Sequence, residues 1–133
     1  MNGNGSDELI LLDKSGYILA IFNESEHAIR LIEAFHGRYS CYISKDGYIS
    51  TSASGINKKY RISNDDKGLV FVDGVGFWTT STVPYSRFVN EYEEVTITET
   101  EYNALAQEIW PREYRDITDC SAYGLNFTPL FKE

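Results

Sequence analysis

Aromatic and basic side chains cluster in two stretches of this chain. Phe77 and Trp78 are adjacent, and the run from Pro84 to Asn90 adds Tyr85, Arg87, Phe88 and Asn90. A second run holds Trp110, Arg112, Tyr114 and Arg115. Aromatic faces stack on nucleobases, guanidinium forks grip phosphates, and amides pair with base edges. Phe77, Trp78, Tyr85, Arg87, Asn90, Arg112 and Arg115 are therefore the candidate binding residues for an anionic, nucleotide-like small molecule. The competing reading is structural. Trp and Phe fill cores, and arginines pair with the acids of an acidic chain.

Other constellations offer less chemistry. His27 and His36 lie nine residues apart in a segment of helical pattern. At about 100° per residue they point to opposite faces of a helix. No C-x-x-C or H-E-x-x-H spacing occurs, so neither a metal nor a cofactor is implied. Cys41 sits in a strand-like run, where a buried thiol is expected. Cys120 lies in a polar stretch and is the better candidate for a nucleophile. With no export signal, the reducing interior of a cell is expected, and both thiols stay free there. Glu91, Glu93, Glu94, Glu99 and Glu101 form an acidic run without a base. Glu91 and Glu93 would share one face of a strand, while Glu99 and Glu101 suit the start of a helix. Gly74-Val75-Gly76 lacks the later glycine and the helix of a dinucleotide fingerprint. It reads as a hairpin turn.

The elements that must carry these residues follow from pattern. Leu9–Leu12 and Tyr17–Phe22 are apolar runs around the turn Asp13–Gly16, which is a β-hairpin signal. Ala28, Ile29, Ile32 and Phe35 recur at helical spacing, with Asn23 and Ser25 ahead as caps and Gly37 as a stop. The spacing predicts an amphipathic helix over 24–36, with Glu26 and Arg30 one turn apart. Lys45-Asp46-Gly47 marks a second hairpin between 38–44 and 48–54. Residues 60–63 suit a short strand and 64–68 a polar turn. Residues 69–73 and 77–82 flank Gly74 and Gly76 as a third hairpin, and 92–98 alternates as a strand. Thr98 and Glu101 form a capping box. Tyr102, Leu105, Ala106 and Ile109 follow as the apolar face of a second helix, which Pro111 ends. Tyr123, Leu125, Phe127, Leu130 and Phe131 make an apolar tail. Such a tail would pack on its own sheet or on another copy, so a homodimer or higher homo-oligomer is expected. The fold class is α+β, mainly antiparallel sheet built from hairpins, with two amphipathic helices and one domain over 1–133.

Composition narrows the partners. The 133 residues carry 20 acids against 12 bases, for a net charge of −8. Residues 67–133 hold 11 acids and 5 bases, so most of the excess lies there. Duplex-binding proteins carry a basic footprint, so duplex nucleic acid is not expected as a partner. The longest apolar run, Tyr17–Phe22, is far short of the ~20 residues of a spanning helix. No membrane span is expected, and the expected location is the cytoplasm.

The segment from Val95 to Leu105 resembles a phrase of small accessory proteins of phages and mobile elements, in which a short strand enters a capped helix of the form I-T-x-x-E-Y-x-x-L. In size, acidity and strand content the chain is similar to phage anti-defence proteins. Among these it resembles the anti-Thoeris sponges, small α+β proteins that sequester a cyclic ADP-ribose signal without cleaving it. The resemblance implies a non-enzymatic binder of a nucleotide-derived immune signal, acting in the host cytoplasm, and assigns no individual residue. The alternative is an acidic inhibitor or immunity protein, similar to anti-CRISPR blockers. It would cover the basic surface of a nucleic-acid-binding enzyme with the Glu91–Glu101 segment. A small hydrolase using Cys120 or a carboxylate pair is the third reading.

Overall fold

The protein is described by a computed structural model over residues 8–12, 17–25, 28–35, 40–43, 48–65 and 67–109. Among these residues the order is β1 (Glu8–Leu12), β2 (Ile18–Ser25), β3 (Ala28–Ala34), β4 (Ser40–Ile43), β5 (Ile49–Ala53), β6 (Ile56–Ile62), β7 (Leu69–Phe77), β8 (Tyr85–Phe88), β9 (Glu94–Thr96) and α1 (Glu99–Ile109). The strands form two sheets, β1-β2-β3 and β4-β5-β6-β7-β8-β9. Every pairing is antiparallel and joins neighbours in sequence.

The expected α+β class, dominated by antiparallel hairpins, is present. One of the two expected helices is not. The described residues of 24–36 form no helix: β2 runs through Ser25, and 28–34 are β3, paired with β2. Asn23, expected near a helix cap, is a buried strand residue opposite Arg30. The pairing of β3 with β2 contains a bulge. Ile21 pairs with Glu33 and Phe22 with Leu31, which leaves Ile32 as an extra residue. A bulge breaks the alternation of a strand. Of the expected stripe, Ile32 is buried and Phe35 half-buried, while Ala28 and Ile29 are exposed, so the four do not make one buried face. Pairing with β2 overrides local propensity.

A second correction concerns Gly74 and Gly76. They do not make a turn but lie inside β7, and the connection to β8 is 78–84. The tight turn is elsewhere. Ser54 and Gly55 both have positive φ, 51° and 81°, and join β5 to β6. Two left-handed residues in a two-residue loop match the twist of the flanking strands. A Cβ on Gly55 would stand 2.7 Å from the Phe77 carbonyl oxygen. The polar turn at 64–68 is as expected: Ser63 N–H donates to the Gly68 carbonyl (2.9 Å), and Asp65 accepts from the Ser63 hydroxyl (2.7 Å).

The second expected helix is α1. Thr98 Oγ1 accepts from the Glu101 N–H (3.3 Å), and Glu101 Oε2 accepts from the Thr98 N–H (2.8 Å), closing the capping box. The Thr98 N–H first, and the Thr98 hydroxyl donating to the same oxygen (2.8 Å) second, hold the Glu101 carboxyl below its usual range. Tyr102, Leu105 and Ala106 are half-buried and Ile109 is buried, so the apolar face is as expected.

The six-stranded sheet has two covered faces. On one, α1 lies over β6, β7 and β8. Phe77, Tyr85 and Tyr102 pack their rings there at centroid distances of 5.0–6.3 Å. Ser50 Oγ donates to the Ile109 carbonyl (2.7 Å) and ties the end of the helix to β5. On the other, the three-stranded sheet packs Ile18, Ile21 and Ile32 against Cys41, Ile49 and Ile62. This is the main core. No helix among the described residues is long and apolar enough to cross a membrane.

Candidate functional site

The seam between the two sheets does not close along its whole length. Beyond the isoleucine core it opens into a groove of about 630 Å³. Glu33 and Phe35 form one wall. Thr51, Lys58 and Tyr60 form the floor, from β5 and β6, and Glu91 and Tyr92 stand at the mouth. Thr51, Lys58 and Tyr60 share a face because Thr51 pairs with Lys58, and Tyr60 lies two residues further along β6.

Lys58 is positioned by an absence. It pairs with Gly74, where a Cβ would be 3.1 Å from Lys58 Cγ and 3.3 Å from the Phe71 ring. With hydrogen there instead, the lysine stem lies across β7, and its ammonium sits over the Phe88 ring, 4.6 Å from the centroid. Lys58 Nζ donates to the Glu91 carbonyl (2.7 Å) and stands 3.4 Å from Glu91 Oε1. Tyr60 Oη donates to the same carboxylate oxygen at 2.7 Å.

Glu91 is held there by the β8–β9 turn. Asn90 Oδ1 accepts from the N–H groups of Tyr92 and Glu93, both at 2.9 Å, and Val89 N–H donates to the Glu93 carbonyl. Glu91 therefore belongs to a turn and not to a strand, which corrects its expected pairing with Glu93 on one strand face. Glu91 is half-buried in the groove, whereas Glu93 is exposed.

The expected ligand residues among those described, Phe77, Trp78, Tyr85, Arg87 and Asn90, do not line the groove, and each has an internal partner. Phe77 and Tyr85 are under α1. Burial and the nearby Glu99 carboxylate push the Tyr85 phenol up in pKa. Arg87 forms a two-pronged pair with Asp73, at 2.9 and 3.2 Å, on the helix-side face. Trp78 is on the opposite face, donating from Nε1 to Glu94 Oε2 at 3.1 Å. Asn90 shapes the turn that aims Glu91. Arg112 and Arg115, with Trp110, Cys120 and the apolar tail, lie outside the described residues, as do His27 and His36.

Cys41 is fully buried, as expected of a strand thiol. Burial first, and the Glu33 carboxylate second, push its thiol far up. Among the described residues no group of three or more His, Cys, Asp or Glu side chains is placed to hold a metal ion. No family model matches the chain, and neither a curated protein nor a solved structure is significantly similar to it.

The sequence reading missed Lys58 and Tyr60. Their signal was present but unremarkable: a lysine and a tyrosine two apart in a strand, opposite a glycine in the next.

Proposed function

We propose that this chain is a non-enzymatic binding protein that takes a nucleotide-derived small molecule into the groove between its sheets. In this reading it withholds a cyclic ADP-ribose-like immune signal in the cytoplasm of a host cell. The groove carries the proposal. At about 630 Å³ it falls in the roughly 300–1,000 Å³ range of small-molecule sites. It combines an ammonium, a phenol and carboxylates with the ring of Tyr92, which is 89% exposed at the mouth. Such a set can bond phosphate, ribose hydroxyls and a base at once. The binding residues are then Thr51, Lys58, Tyr60 and Tyr92 rather than the Arg87 cluster.

Native mass spectrometry of the full chain, with cyclic ADP-ribose, ADP-ribose and AMP as probes, tests this. A gain equal to one intact nucleotide per binding site is expected, released unchanged on denaturation. Ala53→Trp, which fills the groove, should abolish it. Retention of no nucleotide, or retention unaffected by Ala53→Trp, removes the proposal. The same spectrum counts the copies in the expected homo-oligomer.

A second reading has an observation of its own. Glu93, Glu94, Glu99 and Glu101 are all exposed around the last strand of the larger sheet and the start of α1. An acidic inhibitor would present this edge to the basic surface of a nucleic-acid-binding enzyme. Its association would then slow steeply with added salt. Glu93→Gln combined with Glu94→Gln would slow it further.

A further inference from the structure

We propose that Lys58 and Tyr60 form an anion subsite for a phosphate or pyrophosphate group, and that the Glu91 carboxylate is its built-in occupant. The inference rests on the reading of the groove as a ligand site and names the part of the ligand that enters this end.

Two donors converge on one point. Tyr60 Oη and Lys58 Nζ both face Glu91 Oε1, at 2.7 and 3.4 Å. A phosphate oxygen placed there would meet the same two donors. The lysine contact is loose, since charge-assisted N–H···O bonds are usually about 2.7–2.9 Å. A half-buried ammonium without an anion is costly, and the fold answers that cost from its own chain. The Phe88 ring holds the ammonium from below, so its place does not depend on the carboxylate.

The carboxylate can leave without undoing its turn. The turn is closed by Asn90 Oδ1 and by the Val89–Glu93 backbone bond, neither of which uses the Glu91 side chain. Lys58 also grips the Glu91 backbone carbonyl, a contact that survives any substitution there. Charge requires the exchange. Among the described residues, with Glu91 in place the groove is lined by two carboxylates, Glu33 and Glu91, against one ammonium. An incoming phosphate is opposed until Glu91 swings out.

Inorganic pyrophosphate is the probe, titrated calorimetrically into the full chain at low salt. Four proteins are compared: wild type, Glu91→Gln, Glu91→Ala, and Glu91→Ala combined with Lys58→Met. Both single variants should bind pyrophosphate at least about tenfold more tightly than wild type. The double variant should lose that gain. Glu91→Gln keeps an acceptor for Tyr60 and so remains informative if the alanine variant does not fold. Equal affinity of wild type and the folded Glu91 variants overturns the inference, as does a gain that persists without Lys58. These outcomes are separate from the nucleotide test. Tight pyrophosphate binding by Glu91→Gln in a chain that retains no nucleotide would uphold the subsite and remove the larger reading. Nucleotide retention with no effect of Glu91 would do the reverse.

Discussion

The larger sheet is covered by a helix on one face and by a second sheet on the other. Under α1 the contacts are aromatic and continuous, and a hydrogen bond from Ser50 to the Ile109 carbonyl pins the end of the helix. Against the smaller sheet the contacts are aliphatic at one end, around Ile21 and Ile49, and give way to an open groove at the other. A helix can be laid along a sheet and meet it with rings that tilt to fit. Two twisted sheets meet well over a limited area, since each carries its own twist. The polar side chains of the groove lie where that second fit ends.

The largest test of this contrast is Ile49→Ala. Ile49 is fully buried in the seam, and truncation there should cost about 2–5 kcal/mol in urea unfolding. A cost far below that range would mean that the seam is not the main core. Gly74→Ala comes next. Its Cβ must push Lys58 Cγ from 3.1 Å and the Phe71 ring from 3.3 Å, at an expected cost of about 1–3 kcal/mol. Nuclear magnetic resonance should show Lys58 and Glu91 shifting together, with the α1 rings unmoved. Shifts confined to the helix side would break the distinction between the faces.

On the helix side, Thr98→Ala removes the cap and should cost about 1 kcal/mol. A pH signature accompanies it. Glu101 titrates lower folded than unfolded, so its contribution is full above the unfolded value of about 4.3. It is lost as pH falls through the folded value. Thr98→Ala removes the hydroxyl bond to the Glu101 carboxylate but keeps the larger N–H contribution, so it should flatten that part of the acid unfolding curve only in part, and an unchanged curve would mean that the hydroxyl bond adds nothing. Cys41 reports on the seal of the seam. In a Cys120→Ser background, its alkylation should be far slower in the native protein than in urea, because burial disfavours the thiolate. The smallest effect belongs to Arg87→Ala. Its pair with Asp73 is half-exposed, worth at most about 1 kcal/mol, and nucleotide retention should not change. Loss of retention would return the site to the cluster read from the sequence.

The second half of the described chain was the more legible. The capping box and the face of α1 follow from Thr98, Glu101 and the spacing of Tyr102 to Ile109, because those signals are local. The hairpins around Asp13–Gly16 and Lys45–Gly47 were legible for the same reason, although the turns themselves lie outside the described residues. The stretch 24–36 was not, because Ala28, Ile29, Ile32 and Phe35 fall at helical spacing while pairing of 28–34 with β2, a non-local contact, decides the structure. Gly74 and Gly76 misled similarly. They are glycines for what crosses them, Lys58 and the Phe88 and Trp78 rings, and not for their own backbone angles. The aromatic and basic residues around 77–90 stood out in the sequence as a candidate binding cluster. Their partners, Asp73, Glu94 and Tyr102, lie across strands or on the helix, where no local pattern reaches. The groove was illegible for a related reason: its described lining comes from four separated stretches of chain, 33–35, 51–60, Leu69 and 91–92.

The strand order carries one further consequence. Both sheets are meanders in which each strand bonds only to the strand before and after it. Each ladder can therefore zip up from its own turns, without waiting for distant chain, and such local topologies tend to fold fast. Docking of one sheet on the other is the step that brings distant segments together. The groove belongs to neither sheet alone. Amide hydrogen exchange should then resolve two tiers, with the ladders more protected than the seam. A molecule that grips both walls would raise the lower tier toward the upper.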